Sequence, residues 1–84
     1  SPDPVRRFHV AQEQHKKIKL QNLISSEARR GRQYHTTGQH AATALQSERL
    51  RGISQAARLM ELHDIAEKAE EASRELQNLK GRRH

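Results

Sequence analysis

The sequence contains no cysteine and no tryptophan, and it has only one phenylalanine and one tyrosine among 84 residues. The absence of cysteine excludes a disulfide framework and deprives zinc of its thiolate ligands. No apolar run approaches the roughly 18–20 residues that a membrane-spanning helix needs. Only 32% of the residues are hydrophobic, and ten of these are alanine. These shortages predict a single helical domain over residues 1–84, with a core thin enough to be completed by a partner or by a second copy.

The abundant residues are the strong helix formers Ala, Leu, Glu, Gln, Lys and Arg, whereas strand-forming residues are scarce and no long segment alternates with period two. We therefore expect an all-α fold, namely a three-helix bundle with antiparallel, coiled-coil-like packing. The alternative is a long helical hairpin, which would result if the second and third helices fused.

The first helix has a recognisable start and end. Asp3 suits the N-cap, and Pro4 suits the first helical position, where a backbone N–H would be unpaired in any case. Gly31 is the expected end, because glycine commonly terminates helices. Two apolar stripes with helical spacing predict contacts with two neighbouring helices. The first stripe comprises Phe8, Ala11, His15 and Ile18, and the second comprises Leu20, Leu23, Ile24 and Ala28.

Residues 31–38 are predicted to connect the first helix to the second. Thr36 to Gln39 has the Ser/Thr-x-x-Gln form of a capping box, which places the start of the second helix near Thr37. Gly52 interrupts the helical pattern, although a continuous helix through it stays open because one glycine costs only about 1 kcal/mol. The residues expected to face the core are Ala41, Ala44, Leu45 and Leu50.

The third helix is the best-patterned segment, with Ser54 as its available N-cap and Gly81 as its expected end. Its apolar positions follow a three-four spacing over about three heptads. They are Leu59, Leu62, Ala66, Ala69, Ala72 or Ser73, Leu76 and Leu79. Residues 81–84 are expected to form a frayed basic tail. The residues that we select as partner groove or core are Leu59, Leu62, Ile65, Leu76 and Leu79.

Six histidines are the obvious candidates for metal or acid–base chemistry: His9, His15, His35, His40, His63 and His84. No two of them have the i, i+4 spacing of a helical metal pair, and no His-Glu-x-x-His motif occurs. A nucleophile elbow and a glycine-rich phosphate loop are also absent, and so small a domain leaves little room for a substrate pocket. We therefore expect no metal, no cofactor, no catalytic residue and no enzymatic activity.

Positive charge is concentrated in the first half of the chain. The formal net charge is +6, of which residues 1–40 carry +5 and residues 41–84 carry +1. The basic patch that we select comprises Lys16, Lys17, Lys19, Arg29, Arg30 and Arg32. Such a patch attracts acidic peptides, phosphates or anionic lipids, unless it is an ordinary solvated helix surface.

These observations favour a non-enzymatic interaction module, an adaptor that docks a helical or acidic segment of a partner protein in a groove between helices. The alternative is a basic helical RNA- or DNA-binding domain, for which Phe8 and Tyr34 are the only base-stacking candidates. A membrane surface fits less well, because the apolar residues of the first helix are split between two faces. Self-association through a coiled-coil seam on the third helix stays open. An intracellular location is expected, because residues 1–10 do not resemble a secretory signal and cysteine is absent.

Overall fold

In a computed structural model, the backbone is described for residues 4–81, and the side chains are described for residue 12 and residues 14–79. Three helices pack against one another: α1 (Pro4–Thr36), α2 (His40–Leu59) and α3 (His63–Gly81). The predicted all-α three-helix bundle is confirmed, and short turns make successive helices antiparallel. The predicted cap at Asp3 and residues 82–84 of the predicted tail lie outside the described residues.

The expected end of α1 at Gly31 is wrong, because the helix continues to Thr36. Gly31 is buried, and a Cβ atom placed on it would lie 2.8 Å from Cδ2 and 3.1 Å from Cγ of Leu76. The glycine is therefore a point of close approach between α1 and α3 rather than a helix terminator. Thr43 on α2 completes this contact, since its hydroxyl donates to the Gly31 carbonyl at 3.4 Å and to the Gln39 carbonyl at 3.0 Å.

The true end of α1 is a Schellman motif around Gly38, whose φ of 78° places it in the left-handed region. The Gly38 N–H donates to the His35 carbonyl at 3.1 Å, and the Gln39 N–H donates to the Tyr34 carbonyl at 2.7 Å. The predicted capping box is wrong, because α2 starts at His40 and its N-cap residue Gln39 makes no side-chain cap hydrogen bond.

Of the two possibilities at Gly52, the structure has the continuous helix, since α2 runs from His40 to Leu59. The predicted start of the third helix at Ser54 is therefore wrong, and the Ser54 hydroxyl instead donates to the Arg51 carbonyl at 2.7 Å within α2. The structure nevertheless has three helices, because a turn at residues 60–62 separates α2 from α3.

The break between α2 and α3 repeats the Schellman motif with glutamate in place of glycine. Glu61 has a φ of 61°, the only positive φ of a non-glycine residue among residues 4–81. Its N–H donates to the Arg58 carbonyl at 3.0 Å, and the Leu62 N–H donates to the Ala57 carbonyl at 2.8 Å. A left-handed residue other than glycine costs about 1–2 kcal/mol. Because glutamate occupies the position where glycine usually ends a helix, the sequence gives no signal for the end of α2.

The core is small, and alanine dominates it. Its buried hydrophobic residues are Ile24, Ala28, Leu50, Ala57, Ile65, Ala66, Ala69, Ala72 and Leu76. Leu20, Ile53, Leu62 and Leu79 pack against them while half-buried. Alanines on α2 and α3 let the two helices approach closely, and the hydroxyls of Ser47 and Ser73 meet between them at 3.0 Å.

The expected core face of α2 is partly wrong. Leu50 is fully buried, but Leu45 is 65% exposed and Ala41 is also exposed. The face that contains Leu50 continues through polar positions at helical spacing, and these are buried instead: Thr43, Gln46, Ser47 and Ser54. Hydrogen bonds to α1 or α3 satisfy three of them, which is why polar side chains can occupy the core.

The helices have unequal lengths, so α1 extends beyond the bundle. At 1.5 Å per residue, the 33 residues of α1 span about 50 Å and the 20 residues of α2 span about 30 Å. Leu20 is the first half-buried side chain of α1, and the preceding described side chains, residues 12 and 14–19, are all exposed. His15 and Ile18 of the predicted first stripe therefore contact no core, and the side chains of Phe8 and Ala11 lie outside the described set. We call residues 4–19 the α1 extension.

Candidate docking groove

An open groove runs between α1 and α2 on the surface of the bundle. Its volume is about 440 Å³, and its lining is largely apolar. Two half-exposed leucines of α1, Leu20 and Leu23, form one wall, and Ile53 and Ala56 of α2 form the other. Leu23 is 42% exposed, which is a large exposure for a leucine inside a bundle. The groove is thus an apolar surface that the three helices of this chain leave uncovered.

The helical repeat explains why these residues line up. On α1, Leu20, Leu23 and Glu27 are spaced i, i+3 and i+7, which is one face of a helix. On α2, Gly52 and Ala56 are spaced i and i+4, with Ile53 beside them. The two faces border each other because α1 and α2 pack against each other, and no residue of α3 lines the groove.

Gly52 opens the groove on the α2 side. A Cβ atom built on this residue would meet no heavy atom within 4 Å. The missing side chain therefore leaves open space beside the α2 backbone at the border of the groove. A larger residue at this position would project from that border and would meet no core atom at its Cβ.

A buried carboxylate closes one end of the groove. Glu27 is 7% exposed, and Gln46 donates through Nε2 to its Oε2 at 2.6 Å and to its backbone carbonyl at 3.1 Å. Arg49 and Arg30 lie 3.7 Å and 4.0 Å from its two carboxylate oxygens. Because Glu27 is already compensated by these neighbours, it presents no free negative charge to the groove.

The six residues of the predicted basic patch are all exposed, but they do not form one surface. Lys16 and Arg30 share the face of Leu23 by helical spacing, and Lys19 lies one turn before Leu23 on the same side. Arg32 binds Glu75 on α3 at 3.3 Å, and both Arg32 and Arg29 border a separate hollow near the end of α1. Lys17, six residues before Leu23, lies on a different face of α1 from Leu23.

The five residues predicted as partner groove or core occupy three environments. Ile65 and Leu76 are core residues, with 2% and 1% exposure. Leu62 and Leu79 are half-buried against the core. Leu59 is 88% exposed, because it ends α2 instead of facing the core from within the third helix. None of the five lines the groove between α1 and α2.

Sequence reasoning did not identify the α2 wall of the groove. The glycine pattern predicts an interruption of the helix at Gly52, and this interpretation separates Ile53 and Ala56 from the rest of α2. The signal for this wall is the i, i+3, i+7 spacing of Ile53, Ala56 and Met60, which places them on one face of a helix.

The histidines show no metal centre in the described part of the chain, where no group of three or more His, Asp or Glu side chains could hold an ion. The rings of His35 and His40 form an edge-to-face pair with centroids 5.5 Å apart, next to the turn between α1 and α2. In addition, no helix within residues 4–81 combines the length and hydropathy that crossing a membrane would require.

Comparison with models of protein families, with curated proteins and with solved structures finds no match to this chain.

Proposed function

We propose that this chain is a non-enzymatic helical interaction module that docks a helical segment of a partner protein in the groove between α1 and α2. The observation that carries the proposal is the apolar lining of the open groove, which is formed by Leu20, Leu23, Ile53 and Ala56 and bordered by Gly52. Amphipathic helices bind such grooves through apolar residues at i, i+3, i+4 and i+7.

The shape of the groove favours a helix over other occupants. Its walls are the two antiparallel helices α1 and α2. A partner helix lying between them would therefore pack as a fourth member of the bundle. Burying four half-exposed apolar side chains supplies a driving force, at about 25 cal/mol for each Å² of apolar surface removed from water.

Selection from a displayed library of helical peptides against the full chain tests this proposal. We expect enriched peptides to carry apolar residues at helical spacing and to lose at least about tenfold in affinity for Gly52→Gln. The new side chain would project from the border of the groove, where it would obstruct a docked helix. Replacing glycine in a helix also favours folding by roughly 0.5–1 kcal/mol. Circular dichroism would verify that the variant is folded.

Glu67→Gln is the matched control, because it introduces the same residue at an exposed position on α3, away from the groove. Its affinity for the peptides should equal that of the wild type. Failure to enrich any peptide, or equal binding to the wild type and Gly52→Gln, would remove the proposal. A salt-sensitive gel shift with mixed RNA and DNA that Gly52→Gln leaves unchanged would instead support phosphate binding by the basic residues.

A further inference from the structure

We infer that the occupant of the groove is an acidic amphipathic helix of a partner protein, which completes a four-helix bundle and continues along the α1 extension. This inference rests on the proposed function and adds the charge and extent of the partner. It follows from the charges that border the groove and from the surfaces that the chain itself could offer.

The border of the groove is basic. Lys16, Lys19 and Arg30 of α1 lie on the side of Leu23, and Arg49 of α2 lines the groove itself. All four are exposed, but Arg30 and Arg49 already lie 4.0 Å and 3.7 Å from the carboxylate of Glu27. These three side chains together leave a formal charge of +1, and Lys16 and Lys19 carry the rest of the positive charge at the border. A docked helix therefore meets an apolar floor with cations beside it. Glutamate or aspartate flanking its apolar stripe would complement these cations.

The positive charge continues past the groove along the α1 extension. Residues 4–19 contain five Lys or Arg and one Glu, a formal net charge of +4. The α1 extension provides about 24 Å of additional helix at 1.5 Å per residue. The described side chains there are exposed, so a partner helix longer than the groove would run along a cationic helix.

A second copy of the chain is a poorer occupant. A symmetric contact through the groove would bring the basic borders of both copies together, with Lys16 and Lys19 and the net positive charge of Arg30, Arg49 and Glu27, and like charges repel. The acidic helix of the chain is α3, but its exposed side chains between residues 63 and 78 are all polar, and its apolar face is buried in the core. No described helix therefore offers a free surface that is both acidic and apolar.

A pair of synthetic peptides tests the charge of the occupant. Both are 18-residue capped helices with leucine at i, i+3, i+4 and i+7; one carries glutamate beside the leucine stripe and the other carries lysine. We expect the glutamate peptide to bind the full chain at least about tenfold more tightly in 50 mM salt. Its advantage should shrink in 500 mM salt, where charges are strongly screened.

Variants of the chain locate the effect. Lys16→Gln with Lys19→Gln should lower the affinity for the glutamate peptide by about 2- to 30-fold, as expected for the loss of two surface ion pairs. The affinity for the lysine peptide should not fall. Lys68→Gln with Arg74→Gln removes the same charge from exposed positions on α3 and should leave the binding of both peptides nearly unchanged.

The outcomes separate this inference from the proposed function. Equal binding of the two peptides, with both lost in Gly52→Gln, would overturn the acidic partner and support the groove. If Gly52→Gln leaves the binding of both peptides unchanged, the acidic partner and the docking groove are both overturned. A dimer of the chain alone in sedimentation velocity, abolished by Gly52→Gln, would make the second copy the occupant and overturn the inference.

Discussion

Gly31 and Gly52 both lie inside helices, yet replacing them with alanine should have opposite effects on stability. Alanine favours a helix over glycine by about 1 kcal/mol at either position. At Gly52 the new methyl group meets no atom within 4 Å, so Gly52→Ala should stabilise the protein by about that amount. At Gly31 the same methyl would lie 2.8 Å from Cδ2 of Leu76, well inside van der Waals contact.

The environment of Leu76 determines the magnitude. Its side chain is 1% exposed and belongs to the core, so it cannot withdraw into solvent when the methyl group is added. Overpacking of this kind costs about 1–3 kcal/mol. Because the helix-propensity gain is common to both substitutions, the free energies of unfolding of Gly52→Ala and Gly31→Ala should differ by that overpacking cost alone.

Urea denaturation followed by circular dichroism at 222 nm measures this difference. Thermal unfolding should show it as a separation of at least about 4 °C between the two midpoints. Leu76→Val removes both Cδ atoms, so adding Gly31→Ala to that variant should be less harmful than adding it to the wild type. If Gly31→Ala stabilised the protein as much as Gly52→Ala does, the close approach of α1 and α3 at this glycine would be refuted.

Two further substitutions test the turn and the α2–α3 interface. Glu61→Gly should stabilise the protein by about 1 kcal/mol, since it relieves the left-handed conformation at the end of α2; a lower midpoint of urea unfolding would contradict this account. Ser73→Leu should destabilise it by about 1–3 kcal/mol or more, because the hydroxyls of Ser73 and Ser47 lie 3.0 Å apart between closely packed helices. An unchanged unfolding curve for Ser73→Leu would show that α2 and α3 separate easily.

The fold class was predictable because it depends on composition, whereas the helix ends depend on single backbone conformations. The sequence suggested ends at Gly31 and Gly52, but both glycines lie within helices. Gly38 does terminate α1, and Glu61 performs the same role for α2 without a glycine. Glycine permits a left-handed residue and equally permits a close contact, and only the packed neighbour, here Leu76, distinguishes the two.

The residues of the candidate site were only partly predictable from the sequence, and the cause is related. Leu76 belongs to the predicted apolar spacing and Ile65 only to the selected groove or core residues, and both are buried because α3 directs its apolar face into the core. Apolar spacing gives only a weak signal for the groove, since Ile53 and Ala56 of its α2 wall share a helix with a buried polar face. Gln46 and Ser47 give no apolar signal, and their burial depends on partners such as Glu27 and Ser73 that are distant in sequence.

The placement of residues on α2 links the thin core to the proposed docking. This helix directs Thr43, Gln46 and Ser47 into the bundle, while Leu45, at 65% exposure, remains outside together with part of the groove wall. If α2 contacted only α1 and α3, the bundle would be more stable with the apolar side chains of α2 inside and its polar side chains outside. Apolar burial favours folding, and buried polar groups need hydrogen-bond partners. Leu45 and the exposed part of the groove wall therefore gain little from the fold of this chain alone. In the proposed complex a fourth helix buries the groove wall, and this is the contact that Gly52→Gln is designed to block.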